Sequence, residues 1–306
     1  DLAPAALRKE RGLAEDKPAL LVGKVHPGEP AAKAGVVVGD LLAALDGAPL
    51  EGATIDECLR KAEEAVEHSE EKAGKLVLGL RRAGGKEEAL EAKLPILGPH
   101  AATCPRKCPK CEALLRQTLL FLVKAQEGEG SWATDGNTGG TNGKVALTTL
   151  AGLALAHGRG LKVPVDAPLQ NALSFVMRNA GKEPMLAAMR AQSGGANWSQ
   201  VNWALAYGPL LLCHAGRGKP QGPAKAKLQE LVQDLAATQE PSGGYAHGPG
   251  GPNALDYVEL EIVSNLALLA FQQAARAGAK VPAEALERAV AYVDQCTTKD
   301  GGVAYS

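Results

Sequence analysis

Aromatic residues are scarce in this chain: three Phe, three Trp and five Tyr, 4% of 306 residues. Hydrophobic residues still make up 45%, so Ala, Leu and Val must fill the cores, which favours close helix packing over a β-sandwich. Charge of one sign is also missing. The 33 basic and 34 acidic residues leave a net charge of -1, which implies no nucleic-acid or membrane-surface partner. The longest apolar run, around Leu205 to Cys213, is broken by Gly208 and Pro209. It falls short of the ~20 residues that span a bilayer, so no membrane span is expected. The chain starts at Asp1 without a Met and without a basic-then-apolar leader, as a processed mature protein or a trimmed chain would. Processing implies export, and an extracytoplasmic (periplasmic or secreted) location is the expectation.

The length allows about two domains. Composition changes near residue 98, from alternating apolar runs with one charged helix to Ala/Leu-rich helical segments separated by Gly-rich loops. The expected organisation is a small α+β domain over 1–98, a Cys-rich linker over 99–111 and an all-α domain over 112–306. Within the first, Ala19 to Val25 reads as a strand, His26 to Pro30 as a turn and Ala31 to Ala34 as a short helical turn closed by Gly35. Asp40 to Leu45 reads as a strand ending in the Asp46-Gly47 hairpin signal. Thr54 and Glu57 form a capping-box pair ahead of a helix reaching about Ser69. Leu76 to Arg81 and Ala89 to Leu94 alternate as paired strands around Gly84-Gly85.

The run Val25-His26-Pro27-Gly28-Glu29-Pro30-Ala31-Ala32-Lys33-Ala34-Gly35, followed by Gly39-Asp40 and the strand ending in Asp46-Gly47, resembles the PDZ domains of bacterial proteases. The resemblance implies peptide binding by strand addition, in a groove between Leu20 to Val25 and the helix Ile55 to Val66. Its peptide-binding residues would be Gly12, Leu13, Leu21, Val22, Gly23, Val25, Ile55 and Leu59. The loop that holds a C-terminal carboxylate in that family carries Gly-Φ-Gly-Φ. Here only Gly12-Leu13 is present, followed by Ala14-Glu15-Asp16-Lys17. Acids there disfavour a carboxylate, so an internal strand or a fixed intramolecular contact stands beside capture of a C-terminus.

From residue 112 one unit recurs: a helix, a Gly-rich loop with an aromatic or apolar residue, and a second Ala/Leu-rich helix. The loops are anchored at Gly130, Gly195, Gly244 and Gly302. Such a period means a helical array whose units bury their faces by stacking. Gln126 with Gly130-Ser131-Trp132, echoed by Gln239 with Gly243-Gly244-Tyr245, resembles the QW-type repeats of α/α toroids, the architecture of squalene cyclases and prenyltransferase β-subunits. About three and a half hairpins are present, fewer than a closed ring needs, so either the native chain continues past Ser306 or a neighbour covers the open edge. A homo-oligomer or filament is one such partner. The Asp-x-Asp-Asp motif of the cyclases and the Gly-Cys-Gly-Glu-Gln motif of the complement-like thioester domains that share this architecture are absent.

Chemistry-bearing residues concentrate in few places. Cys104, Cys108 and Cys111, with His100 nearby, offer four donors of the kind zinc takes in a tetrahedron. A structural zinc, a disulfide between two of the thiols, and reduced unligated thiols all stand open. Cys58, Cys213 and Cys296 read as small buried apolar residues. Asp135 to Gly143 has alternating oxygen side chains without the closing acid of a calcium loop, and reads as a helix-capping loop. His247, Asp256 and Glu259 are candidate acid–base residues, and Trp198, Asn202, Trp203 and Tyr245 candidate pocket residues at the ring mouth. His157 and His214 read as C-terminal helix caps. The expected function is a non-catalytic interaction or assembly protein that binds a polypeptide strand or C-terminus. The alternative is a secreted toroid-class enzyme, a cyclase or carbohydrate-active lyase.

Overall fold

The computed structural model of the protein describes residues 2–14, 16–133, 140–181, 200–248 and 259–305. It is a mixed α and β protein, with a five-stranded antiparallel sheet and a helical part. The chain divides into two compact units, Asp1–Leu114 and Leu115–Ser306. Residues 99–111, read from sequence as a linker, fall inside the first of them. No described helix is long and apolar enough to cross a membrane.

The N-terminal unit begins with the short helix α1 (Ala5–Glu10) and strand β1 (Leu20–Leu21), followed by α2 (Pro30–Ala34). Gly35 closes α2 in the left-handed region, at φ 95°, where a residue without Cβ is least strained. Strand β2 (Leu41–Leu45) turns through Asp46 and Gly47, both at positive φ, into β3 (Ala48–Pro49). That is the two-residue hairpin the Asp-Gly pair implies. Helix α3 (Ile55–Glu71) starts on the expected capping box: the Thr54 hydroxyl accepts from Glu57 N–H, and the Glu57 carboxylate accepts from Thr54 N–H. Strands β4 (Lys75–Arg81) and β5 (Glu87–Lys93) complete the sheet, in the order β1-β2-β4-β5 with β3 paired to β2. Asp40, buried at the start of β2, accepts from Val37 N–H at 2.9 Å and pairs with Arg82. The core is small: Leu20, Leu45, Leu50, Cys58 and Leu76, with a second patch of Ala3, Ala19 and Leu41.

β1 is shorter than the expected strand. Beyond Leu21 only Val22 stays bonded, donating to Asp40 O and accepting from Gly39 N–H. Its two edges are both taken, one by β2 and the other by the chain's own start, where Leu2 bridges Leu20 and Ala3 N–H donates to Ala19 O.

The helical unit holds the rest of α4 (Pro109–Ala125), then α5 (Gly140–His157), α6 (Asp166–Asn179), α7 (Val201–Ala215), α8 (Gly222–Ala237), α9 (Glu261–Arg276) and α10 (Ala283–Cys296). α7 is the centre. It packs on α5 and α9 to either side and on α8, and it is buried around most of its circumference. Its apolar composition follows from that position, because a helix enclosed on all sides has no polar stripe. One continuous core runs through the unit, from Leu119 to Ala289.

Two of the Gly-rich loops share one bonding scheme. Glu127 N–H donates to Ser131 O and Gly130 N–H to Glu127 O. Glu240 N–H donates to Gly244 O and Gly243 N–H to Glu240 O. Gln126 Nε2 clamps the first loop to α6, donating to Gly130 O at 3.1 Å and Pro168 O at 2.8 Å. Gln239 Nε2 does the same to α10 through Gly243 O at 2.8 Å and Ala285 O at 2.9 Å. Gly130 and Gly243 have φ of 97° and 96°, and a Cβ on either would strike the helix backbone, at Asn171 O and Arg288 O. The loop after α10 repeats the turn, with Thr298 N–H to Gly302 O and Gly301 N–H to Thr298 O. There Thr297 replaces the Gln, nothing lies within 4 Å of a Cβ on Gly301, and Val303 is 55% exposed where Trp132 and Tyr245 are 7% and 0%.

Candidate metal centre

His100, Cys104, Cys108 and Cys111 converge in the N-terminal unit, with their donor atoms all within 4.8 Å of one another. The segment makes this possible by its own turns. Cys104 N–H donates to Ala101 O, Lys107 takes positive φ, and Cys108 leads straight into the first turn of α4, which carries Cys111. His100 Nδ1 lies 3.5 Å from Cys104 Sγ and 3.6 Å from each of Cys108 Sγ and Cys111 Sγ, and Cys104 Sγ lies 3.4 Å from Cys111 Sγ. A zinc ion bonded at about 2.3 Å to sulfur and about 2.0 Å to nitrogen has tetrahedral S···N edges of about 3.5 Å and S···S edges of about 3.8 Å. The four measured edges are close to those of such a tetrahedron, and the set can hold a metal such as zinc. The thiols are unbridged. The sulfur separation of 3.4 Å is far beyond the bonded ~2.05 Å.

Electrostatics around the sulfurs point the same way. Cys108 is lowered to about 6, first by the Cys111 backbone N–H, then by Ala101 N–H, which reaches its sulfur at 3.3 Å. Cys111 is raised to about 12, first by its contact with the Cys104 thiol. Ionisation of Cys111 is thus opposed by its sulfur neighbours, Cys104 first. A bound cation removes that opposition, because coordination deprotonates thiols outright.

Two further residues complete the surroundings. His100 Nε2 lies 3.2 Å from Glu67 Oε1 on α3, and Lys110 Nζ lies 3.2 Å from the same oxygen. Lys110 is 2% exposed at its side chain. Its ammonium, with His100 second, holds the Glu67 carboxyl below its ordinary range. Glu67 and Lys110 were not legible as site residues in the sequence. Glu67 is one of many acids on a charged helix, and only the position of Lys110 inside Cys-Pro-Lys-Cys could have flagged it. Beside the centre a cavity of about 390 Å³ runs along α3, lined by Leu59, Ala62, Val66, Glu67, His100 and Leu114 among others.

No protein-family model matches the chain, and no curated protein matches it. The geometry above carries the functional reading by itself.

The other sequence-derived candidates scatter. Leu13 and Leu21 pack against the small core patch with Ala3, Ala19 and Leu41. Ile55 packs against the cluster that holds Leu20 and Cys58. Val22 is half-buried with both backbone groups bonded, Val25 is half-buried, and Gly12 and Gly23 are exposed. Leu59 lines the cavity along α3 and is 42% exposed, while Leu13 lines a separate cavity of about 230 Å³.

In the helical unit, Trp198, Asp256 and the loop over 135–139 lie outside the described residues. Asn202 and Tyr245 are fully buried. Asn202 Nδ2 donates to Ala246 O, and Tyr245 packs edge-on to Phe271. Trp203 does line a pocket, of about 260 Å³, with Ala146, Leu147, Leu150, Gln200 and Tyr207. His247 Nδ1 accepts from Trp203 Nε1–H at 2.7 Å, and burial lowers the His247 pKa. Glu259 accepts from Ser242 Oγ at 2.7 Å and braces the loop before Tyr245. His157 and His214, read as helix caps, face each other with ring centroids 4.6 Å apart.

Proposed function

We propose that this is a non-catalytic interaction protein whose N-terminal unit is PDZ-like, is held together by a structural zinc, and docks a polypeptide segment along α3. The observation that carries the reading is the closed donor set of His100, Cys104, Cys108 and Cys111. Structural zinc sites fill all four positions with protein ligands, whereas catalytic ones keep a position for water or substrate. A small core supports the same reading, since small units are commonly stapled by metal. With the β1 edges occupied, strand addition there is disfavoured. The cavity along α3, apolar at Leu59, Ala62 and Val66 and also lined by Glu63 and Glu70, suits an apolar segment carrying a Lys or Arg. The helical unit is read as a partial α/α toroid that acts as scaffold.

Two measurements test this. Elemental analysis of full-length protein purified without chelator is expected to find one zinc per chain, lost in Cys104→Ser. Selection from displayed random peptides, in both internal and free C-terminal formats, is expected to enrich basic–apolar sequences in the internal format. Their binding should fall at least about tenfold in Leu59→Asp, the effect of losing about 1.4 kcal/mol. Zinc-free protein, or selected peptides indifferent to Leu59→Asp, would overturn the reading.

A further inference from the structure

We propose that Glu67 is a positioning residue that fixes His100 as an Nδ1 ligand and transmits metal occupancy to α3, the helix lining the docking cavity. The proposal rests on the zinc reading above and adds a direction to it: the metal orders a helix that contributes none of the four donors.

A carboxylate only accepts hydrogen bonds, so the ring nitrogen 3.2 Å from Glu67 Oε1, His100 Nε2, must carry the proton. In a neutral imidazole the other nitrogen then carries the lone pair. That nitrogen is Nδ1, the one facing all three sulfurs at 3.5–3.6 Å. Partners beyond the ligands orient metal-bound histidines in this way and raise their basicity.

Glu67 is itself held. Lys110 Nζ sits on the same oxygen, and Lys110 is buried between Cys108 and Cys111 in the sequence of the metal segment. Burial of its side chain, 2% exposed, fixes where its ammonium stands. Glu67 is thus gripped by two groups, His100 and Lys110, whose positions the metal segment determines. From the other side, Glu67 lies on α3 one residue after Val66, which packs on the core, and two residues before the buried Ser69. A cation at the four donors locks residues 100–111, the locked segment grips Glu67, and Glu67 restrains the second half of α3. Without the cation nothing ties the four donors to one another, and the grip loosens.

The test uses the full chain, zinc as the only ligand, and two variants. Glu67→Gln keeps shape and removes charge, and Glu67→Leu removes the acceptor. In the wild type, competition with a chromophoric chelator should give 1:1 binding, and imidazole ¹⁵N spectra should show His100 bound through Nδ1. Both variants should bind zinc about 10- to 100-fold more weakly with unchanged far-UV circular dichroism, and Leu should be at least as weak as Gln. Hydrogen exchange supplies the coupling readout. Zinc should slow exchange in both 100–111 and 64–71 of the wild type, but in 100–111 only for the variants. Unchanged affinity in both variants, His100 bound through Nε2, or a zinc response of 64–71 that survives in Glu67→Leu would each overturn the proposal while leaving a structural zinc intact. A wild type that binds no zinc overturns the zinc reading itself.

Discussion

The two units of this chain solve the same problem of burial by different means. The N-terminal unit has a sheet, one long helix and a core of a few aliphatic residues. Much of its order comes from polar devices: the capping box at Thr54, the buried Asp40–Arg82 pair and the convergence of His100 with three cysteines. The helical unit has no such cluster among its described residues. It repeats one loop-and-helix joint and lets Ala and Leu interdigitate through a single core. Where surface is large relative to volume, a metal or a buried ion pair supplies what burial cannot. Where units stack, each additional helix extends the core it joins.

The largest expected departure between the units follows metal loss. Structural zinc is worth roughly 10 kcal/mol or more to a small unit. Cys108→Ser, or chelation of the wild type, should therefore abolish exchange protection across 95–114 and destabilise the sheet unit, leaving protection in α7 and α9 unchanged. Segment-resolved hydrogen exchange checks it, and loss of protection in both units together would dissolve the contrast.

The converse perturbation strikes only the helical unit. Gly130→Ala and Gly243→Ala each place a Cβ against the backbone of the next helix at positive φ. Clash and backbone strain together should cost about 2–4 kcal/mol. Gly301→Ala meets open space and should cost only the conformational term, about 1 kcal/mol. Urea titrations of the three variants rank them, and equal costs would show that the loops are not held by the helices they abut.

A smaller effect is expected from the loop clamps. Gln126→Ala and Gln239→Ala each remove two hydrogen bonds to partly buried carbonyls, about 1–3 kcal/mol apiece. If the two loops are true copies, the two losses should agree within error.

Acid should touch both units through different groups. Burial lowers the pKa of His247 and His214, and for His214 the nearby His157 adds to it. A group whose folded pKa is depressed stabilises above its unfolded value, and that contribution is lost as pH falls through the folded one. Helical-unit melting temperature should therefore decline on acidification below the ordinary histidine range. Zinc affinity should fall with pH as well, most steeply as Cys108 protonates near 6. Thermal scans with and without chelator separate the two declines.

Local signals carried much of the fold. The Asp46-Gly47 hairpin, the Thr54/Glu57 start of α3, the Gly35 cap and the paired strands around Gly84-Gly85 are each determined by neighbours in sequence, and they stand where local chemistry places them. The same is true of the paired Gln–Gly loops, because a glutamine four residues before a glycine can bond its carbonyl without help from the rest of the chain. The four metal donors were legible for the same reason: all lie within twelve residues, from His100 to Cys111.

What sequence alone could not decide involved partners far along the chain. That β1 is flanked by Leu2 and Ala3 is a contact across a turn and a helix, and no residue type announces it. That Asn202 is enclosed while Trp203 faces a pocket depends on how α7 rotates between α5 and α9, which an apolar helix without a polar stripe leaves open. The Cys-x3-Cys-x2-Cys spacing with His100 put a cation among the readings, beside a disulfide and free thiols. Only the tertiary structure decided, through Glu67 from a helix more than thirty residues upstream, which nitrogen of His100 faces it, because a ring's tautomer is set by what lies on its far side.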